Sequence, residues 1–329
     1  MSVASARIVG TGMSVPERVM TNEDFARLVE TNDEWIVQRT GMRERRIAEH
    51  GQATSDLAVE ASREALRDAG VAPEDVDLVI CATITADNVL PATACWIQDR
   101  LGCKRAAAYD LTAACCGNIY SLAQARANIL AGQAKTVLVV AAETLSKITD
   151  YEDRSSCVLF GDGAGASVVQ ASDEPDTGIL YTTLYADGSG GDLMLLPAGG
   201  SRRPASHETV EARGHYMQIR GREVFRFAVE KMQELIEECM KTCRLTVDQV
   251  RLVVPHQVNT RIIDAATSRM GFPPEKVFLN IEKYGNTGGA SCAMAYHEAR
   301  KQGLLGPGDV AILVAFGGGL TWAAAVVKH

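Results

Sequence analysis

The sequence predicts an α/β protein made of two related halves, and three observations carry that prediction. Short, continuously apolar runs of strand length, such as "VDLVICATIT", "KTVLVVAAE" and "VRLVVPHQVN", alternate with longer segments of helical period. The order of these runs recurs. "VDQVRLVVPHQVN" echoes "PEDVDLVICATIT", "RMGFPPEKVFLNIEKYGNTGGAS" echoes "RLGCKRAAAYDLTAACCGN", and "GDVAILVAFGGGLTWAAAVV" echoes "KTVLVV" joined to "FGDGAGASVV". Finally, 47% hydrophobic residues in 329 suffice for two domain-sized cores. The expected division is residues 1–172 and 173–329, with two sheets packed around shared central helices.

Taken in order, Ala6 to Gly12 reads as a strand ending in a glycine turn, and Asn22 as the cap of a short helix. Thr31 to Arg46, "TNDEWIVQRTGMRERR", sets Trp35 among Arg39, Arg43, Arg45 and Arg46. It is either a solvated amphipathic turn or a platform on which Trp stacks a ring and Arg grips phosphates. Ser55 caps a helix running to Gly70, with Leu57, Ala61, Ala65 and Leu66 inward. A buried strand follows, then a helix from Pro91 to Leu101.

Ala106 to Leu130 is the central stretch. An apolar run breaks at Cys115 and Cys116 among small residues, then continues with Ile119, Leu122, Ala123, Ala127 and Leu130 at helical steps. A cysteine where a strand hands over to a helix N-terminus meets unpartnered N–H groups, which favour its nucleophilic thiolate. A buried cysteine is more often packing, so a partner base or oxyanion site is required. Lys135 to Glu143 is another buried strand, and Gly161, Gly163 and Gly165 lie between two strand-like runs. Gly188 to Arg213 reads as a surface loop.

In the second half, His256 lies at the carboxyl end of a strand, where α/β sheets place reacting groups, and Asn286 lies in the turn "YGNTGGAS". The internal repeat relates these two turns to the cysteine turn. Cysteine, histidine and asparagine together suit acyl transfer: Cys115 holds an acyl group, while His256 and Asn286 donate to a thioester oxygen that becomes negative. "FGGG" at Phe316 to Gly319 can bring an N–H close to the adduct.

Charge and cysteines narrow the class. A net charge of −8 argues against a nucleic-acid protein. Nine irregularly spaced cysteines suit reduced cytoplasmic thiols rather than a disulfide framework. Cys239 and Cys243, four apart on a helix, have no histidine nearby, so no metal is expected. Neither a signal peptide nor a membrane-spanning run is evident.

"DLTAACCGN", "PHQVNTRI", "YGNTGGAS" and "FGGGLTW" closely resemble the four signature blocks of the β-ketoacyl-acyl-carrier-protein synthase III family, which initiates type II fatty acid synthesis. The resemblance runs through "TNDEWIVQRTGMRERR" and "FGDGAGA" and covers the chain. It implies the thiolase-like fold, a five-layered αβαβα arrangement, and a homodimer. It also implies loading of Cys115 from an acyl-CoA, then decarboxylative condensation with malonyl-acyl-carrier protein. Coenzyme A enters as a substrate thioester, and no cofactor is expected.

By motif position, His256 and Asn286 are the decarboxylation pair, and the N–H groups of Cys115 and Gly318 resemble the oxyanion hole. Thr31, Trp35, Arg39, Arg154 and Asn259 match coenzyme A contacts. Arg226, Arg261 and Arg269 match positions facing the carrier protein. Leu90, from the partner subunit, and Asn118 match the acyl pocket. The chain departs from the usual pattern at Asn118, Leu90, the glycines of "GNTGGAS" and Ser268. Relatives of this fold also serve polyketide and alkylquinolone pathways, which stays an alternative, as does a non-catalytic scaffold.

Overall fold

Alternation along the strands explains the layering. In the computed structural model, which describes residues 3–329, Val137 and Val139 point to one side of their strand and Leu138 and Val140 to the other, and each set joins a different core. A strand buried on both faces needs cover on both. The chain provides it with helices in three layers around two sheets.

The longer elements are β1 (Ser5–Ser14), α1 (Asp33–Thr40), α2 (Thr54–Ala69), β2 (Leu78–Ala82), α3 (Thr93–Leu101), β3 (Ala107–Leu111), α4 (Gly117–Leu130), β4 (Thr136–Thr144) and β5 (Asp162–Ser172) in the first half. The second half has β6 (Gly178–Ala186), α5 (Gly221–Cys243), β7 (Leu252–Pro255), α6 (Thr260–Arg269), α7 (Ala290–Lys301), β8 (Val310–Gly317) and β9 (Thr321–Lys328).

The first sheet runs β1-β5-β4-β2-β3, and the second β6-β9-β8-β7. In both, the inner two strands of the crossover pair in parallel (β4 with β2, β8 with β7), and the order of the other strands matches. The counterpart of β3 in the second sheet is a single parallel bridge from Val253 to Val277. The repeat read from sequence is therefore a repeat of topology, with one strand reduced to a contact.

α2 and α3 cover the outer face of the first sheet through Leu57, Ala61, Ala65 and Ile97. α5 and α6 cover the second through Met232, Leu235, Ile236, Ile262 and Ile263. α4 and α7 lie between the sheets, where Ile119, Leu122, Ala125 and Ile129 meet Cys292, Ala295, Tyr296 and Ala299. Close approach is built in. A Cβ on Gly165 of β5 would stand 2.5 Å from Ala293 Cβ of α7, so glycine lets that helix seat against the sheet.

Several local expectations change. Gly163 and Gly165 lie inside β5 rather than between two strands. The first short helix is capped by Thr21 with Asp24, because the Asn22 side chain is drawn inward to Asp33 and the Met42 carbonyl. α2 begins one residue before Ser55, where Asp56 accepts from the Ala53 N–H at 2.7 Å. On α4 the buried face continues through Ala125 and Ile129, while Leu130 is exposed. A helix wedged between two sheets is apolar on several sides, which blurs the periodicity that marks one face.

Candidate active site

Cys115 stands where β3 gives way to α4. Its predecessor Ala114 is held at φ 46°, in the left-handed region, within a short 3₁₀ turn, Ala114–Cys116, that leads into the helix. The turn is pinned by the Cys116 N–H to the Ala113 carbonyl at 3.0 Å and by the Thr321 hydroxyl to that carbonyl at 3.2 Å. Cys115 is 8% exposed and opens into a cavity of about 360 Å³. Apolar side chains dominate the walls, including Ile84, Leu145, Phe160, Met194, Leu196 and Met217. Such a lining suits an aliphatic chain.

The thiol is not poised as the helix N-terminus alone would make it. Burial, and then the charge of Glu143, push Cys115 up to about 12, against a small opposing effect of its own backbone N–H. Desolvation outweighs the helix end, so the resting group is the thiol.

The second half closes around this turn. A Cβ on Gly317 would lie 2.8 Å from the Cys115 nitrogen, so the end of β8 is pressed against the Cys115 backbone. Gly318 and Gly288 line the same cavity as Cys115. Gly288 donates its N–H to Asn286 Oδ1 at 2.9 Å. That bond fixes the carboxamide with its NH₂ end free of any protein acceptor among the described residues. The Asn286 backbone is held by the Leu159 carbonyl at 2.9 Å and the Gly161 N–H at 3.0 Å.

His256 follows β7, with its N–H on the Val314 carbonyl at 2.8 Å. Its ring stands edge-on to Phe316, centroids 5.7 Å apart, and its Nδ1 is 2.6 Å from Ser291 Oγ. The imidazole is wholly buried, and desolvation pulls it down to about 3, so it is neutral. Nε2 is buried without a hydrogen-bond partner among the described residues. Such a group costs free energy unless a ligand satisfies it. Neither His256 nor Asn286 is part of the apolar lining. Asn286 lies in the turn that brings Gly288 to the cavity, and the His256 ring packs on Phe316, next to Gly317.

The predicted coenzyme A residues gather at one place. Arg39 and Arg154 hold their guanidinium carbons 5.8 and 5.4 Å from the Trp35 ring centre. Asn259 donates to the Arg39 carbonyl at 2.9 Å while its Oδ1 caps α6. Thr31 Oγ1 is buried without a partner. Arg226, Arg261 and Arg269 are exposed on the adjoining helices α5 and α6. Leu90 is 87% exposed and away from the cavity of its own chain, and Asn118 is buried but does not line it.

Two features escaped the sequence. The segment read as a surface loop contains Met194–Leu195, a strand paired with Gln218–Ile219, and it sends Met194, Leu195 and Leu196 into the cavity wall. The "DLMLLP" run was the available signal, but polar neighbours masked it. Glu143, at the end of β4, is buried beside the site and accepts from Thr83, Thr85 and the Ile84 N–H. Burial raises it to about 8. A glutamate ending an apolar run reads from sequence as a strand boundary.

Comparison with known proteins agrees with this geometry. Two family models match, "3-Oxoacyl-[acyl-carrier-protein (ACP)] synthase III" over residues 109–188 and its C-terminal counterpart over 240–329. A beta-ketoacyl-[acyl-carrier-protein] synthase III of Caldanaerobacter subterraneus is 52% identical over 98% of both chains. The crystal structure of a 3-oxoacyl-[acyl-carrier-protein] synthase III from Aquifex aeolicus superposes with TM-score 0.91 at 44% identity, covering 98% of this chain and 100% of that one. The priming β-ketosynthase of the R1128 polyketide pathway superposes with TM-score 0.92 at 35% identity, covering 99% and 97%. With the thiolase-like layering and the cysteine turn enclosed by two glycine turns, these matches establish that the chain belongs to the 3-oxoacyl-[acyl-carrier-protein] synthase III family of condensing acyltransferases.

Proposed function

We propose that Cys115 takes the acyl group of an acyl-CoA and that the acyl-enzyme condenses with malonyl-acyl-carrier protein, giving a 3-oxoacyl product that starts fatty acid synthesis. In the first step the thiol sulfur bonds to the thioester carbonyl, and coenzyme A leaves as its thiol with the proton that Cys115 gives up. The N–H groups of Cys115 and Gly318 receive the oxyanion of the tetrahedral adduct. In the second step the malonyl carboxylate departs as CO₂. The electron pair it leaves forms an enolate whose oxygen takes hydrogen bonds from His256 Nε2 and the Asn286 carboxamide. The enolate carbon attacks the acyl carbonyl, and Cys115 leaves and regains a proton. The apolar cavity holds the acyl chain.

The carrying observation is the buried, neutral imidazole whose Nε2 has no partner among the described residues, together with a carboxamide held in the turn that lines the Cys115 cavity, its NH₂ without an acceptor among the described residues. A neutral donor pair suits a charge that exists only during the second step. The Trp35, Arg39 and Arg154 cluster supports coenzyme A as the donor, since a ring and two guanidiniums match an adenine and its phosphates. The exposed arginines on α5 and α6 support an acidic carrier. Fully exposed Val89, exposed Leu90 and the free edge of β3 support a second copy of this chain as partner. Free thiols throughout support a cytoplasmic enzyme. Among the described residues no helix is long and apolar enough to cross a membrane.

Intact-protein mass after exposure to acyl-CoA tests the first step, and product formation from malonyl-acyl-carrier protein tests the second. His256→Ala and Asn286→Ala are expected to acylate but not condense. Cys115→Ala is expected to do neither. Acylation that persists in Cys115→Ala and vanishes in Cys116→Ala overturns the assignment. The match to a polyketide-priming synthase keeps one second reading, the same chemistry serving a secondary metabolite. The pathway is then decided by which carrier protein is accepted.

A further inference from the structure

We infer that Ser291 is a positioning residue that sets the tautomer of His256 and thereby makes Nε2 a donor; this rests on the reading of His256 given above. Ser291 is the second residue of α7, 2% exposed, at the end of the "GNTGGAS" turn. Its hydroxyl has two hydrogen-bond neighbours among the described residues. The Gln257 N–H donates to Oγ at 3.2 Å, and His256 Nδ1 lies 2.6 Å away. An amide N–H can only donate, so that contact uses an acceptor site of Oγ. The hydroxyl proton then has a single available acceptor, the Nδ1 lone pair. Were Nδ1 the protonated nitrogen, both neighbours would donate to Oγ and the hydroxyl proton would be buried without an acceptor. A buried orphan of that kind is costly.

The Ser291 proton therefore goes to Nδ1, and the ring proton of the neutral imidazole sits on Nε2. Nε2–H has no partner among the described residues, so it is a buried donor left for a ligand to satisfy. An enolate oxygen needs a donor. The other tautomer would present a lone pair to a negative oxygen and repel it. The arrangement also removes His256 as a base toward Cys115, since Nε2 has no free lone pair. Ser291 touches no substrate in this account. It acts only through the ring it orients, as partners behind functional imidazoles do elsewhere.

The test combines ring ¹⁵N NMR of histidine-labelled protein with the two half-reactions. The His256 signals are assigned by difference from His256→Ala. In the wild type and in Ser291→Thr, which keeps the hydroxyl, Nε2 is expected to be protonated and Nδ1 bare. Ser291→Ala is expected to lose that fixed tautomer and to slow condensation roughly 10- to 100-fold, with Cys115 acylation unchanged. A wild-type His256 protonated at Nδ1 overturns the inference, and this result needs no variant to fold. So does a Ser291→Ala enzyme that condenses at the wild-type rate. Normal condensation by His256→Ala would instead overturn the functional reading itself, whatever the tautomer.

Discussion

Replacing Gly317 by alanine tests whether the end of β8 sets the position of the Cys115 thiol. The new Cβ would stand 2.8 Å from the Cys115 nitrogen, 3.0 Å from its Cβ and 3.3 Å from its Cα. Ordinary contact begins near 3.4 Å, so the first of these is short by 3.4 − 2.8 = 0.6 Å. The opposing atoms are mostly backbone, and the cysteine turn is pinned by Thr321 and by its own hydrogen bond, so relief means moving Cys115. Overpacking of this kind costs about 1–3 kcal/mol of stability. A displacement approaching 1 Å at a reacting atom can cost up to about 100-fold in rate. Gly318→Ala is the matched control: its Cβ would meet Met194 at 3.4 Å and Ala114 at 3.7 Å, which are ordinary contacts, and its N–H is retained. The assay is the rate of Cys115 acylation by intact mass, with thermal melts alongside. Gly317→Ala should lose roughly 10- to 100-fold and Gly318→Ala much less. Equal, wild-type rates in both would refute the claim that this glycine positions the thiol.

Two further outcomes follow from groups beside the site. Glu143 has a folded pKa of about 8 against 4.5 for an ordinary glutamate, so the folded state holds its proton more tightly than the unfolded chain. Stability is therefore undiminished below pH 4.5 and falls as pH rises toward 8, by at most about 5 kcal/mol at 1.4 kcal/mol per unit. Glu143→Gln should flatten that slope in denaturant titrations at pH 5 and pH 8, and an unchanged slope would mean that the carboxyl is ionised in the fold. Trp35→Ala removes the surface under Arg39 and Arg154. It should raise KM for acyl-CoA about tenfold, with kcat little changed and the carrier-protein step unaffected, and an unaltered KM would place coenzyme A elsewhere.

The order of elements was legible because hydrophobic period and turn chemistry act over a few residues, and because the second half repeats the first. The runs around Ile80, Val139, Val254 and Leu313 are buried strands, and Cys115, His256 and Asn286 each follow the turn that the repeat marks. The motifs also named the residues around Trp35. What lay beyond reach depends on contacts between segments far apart in the chain. The helix N-terminus argued for an easily ionised Cys115, yet the second sheet and Glu143 bury it and push it up. The polar-looking stretch after Gly188 sets Met194 and Leu196 along the cavity wall through its pairing with Gln218–Ile219, a contact between segments that local composition does not record.

The sequence by itself determined which residues could do chemistry and the duplicated order of strands and helices, since both are written in local pattern. Tertiary structure decided how those groups are charged and which way they point. Protonation and hydrogen-bond roles follow from burial and from neighbours such as Ser291, 35 residues from His256 in the chain and 2.6 Å from it in space.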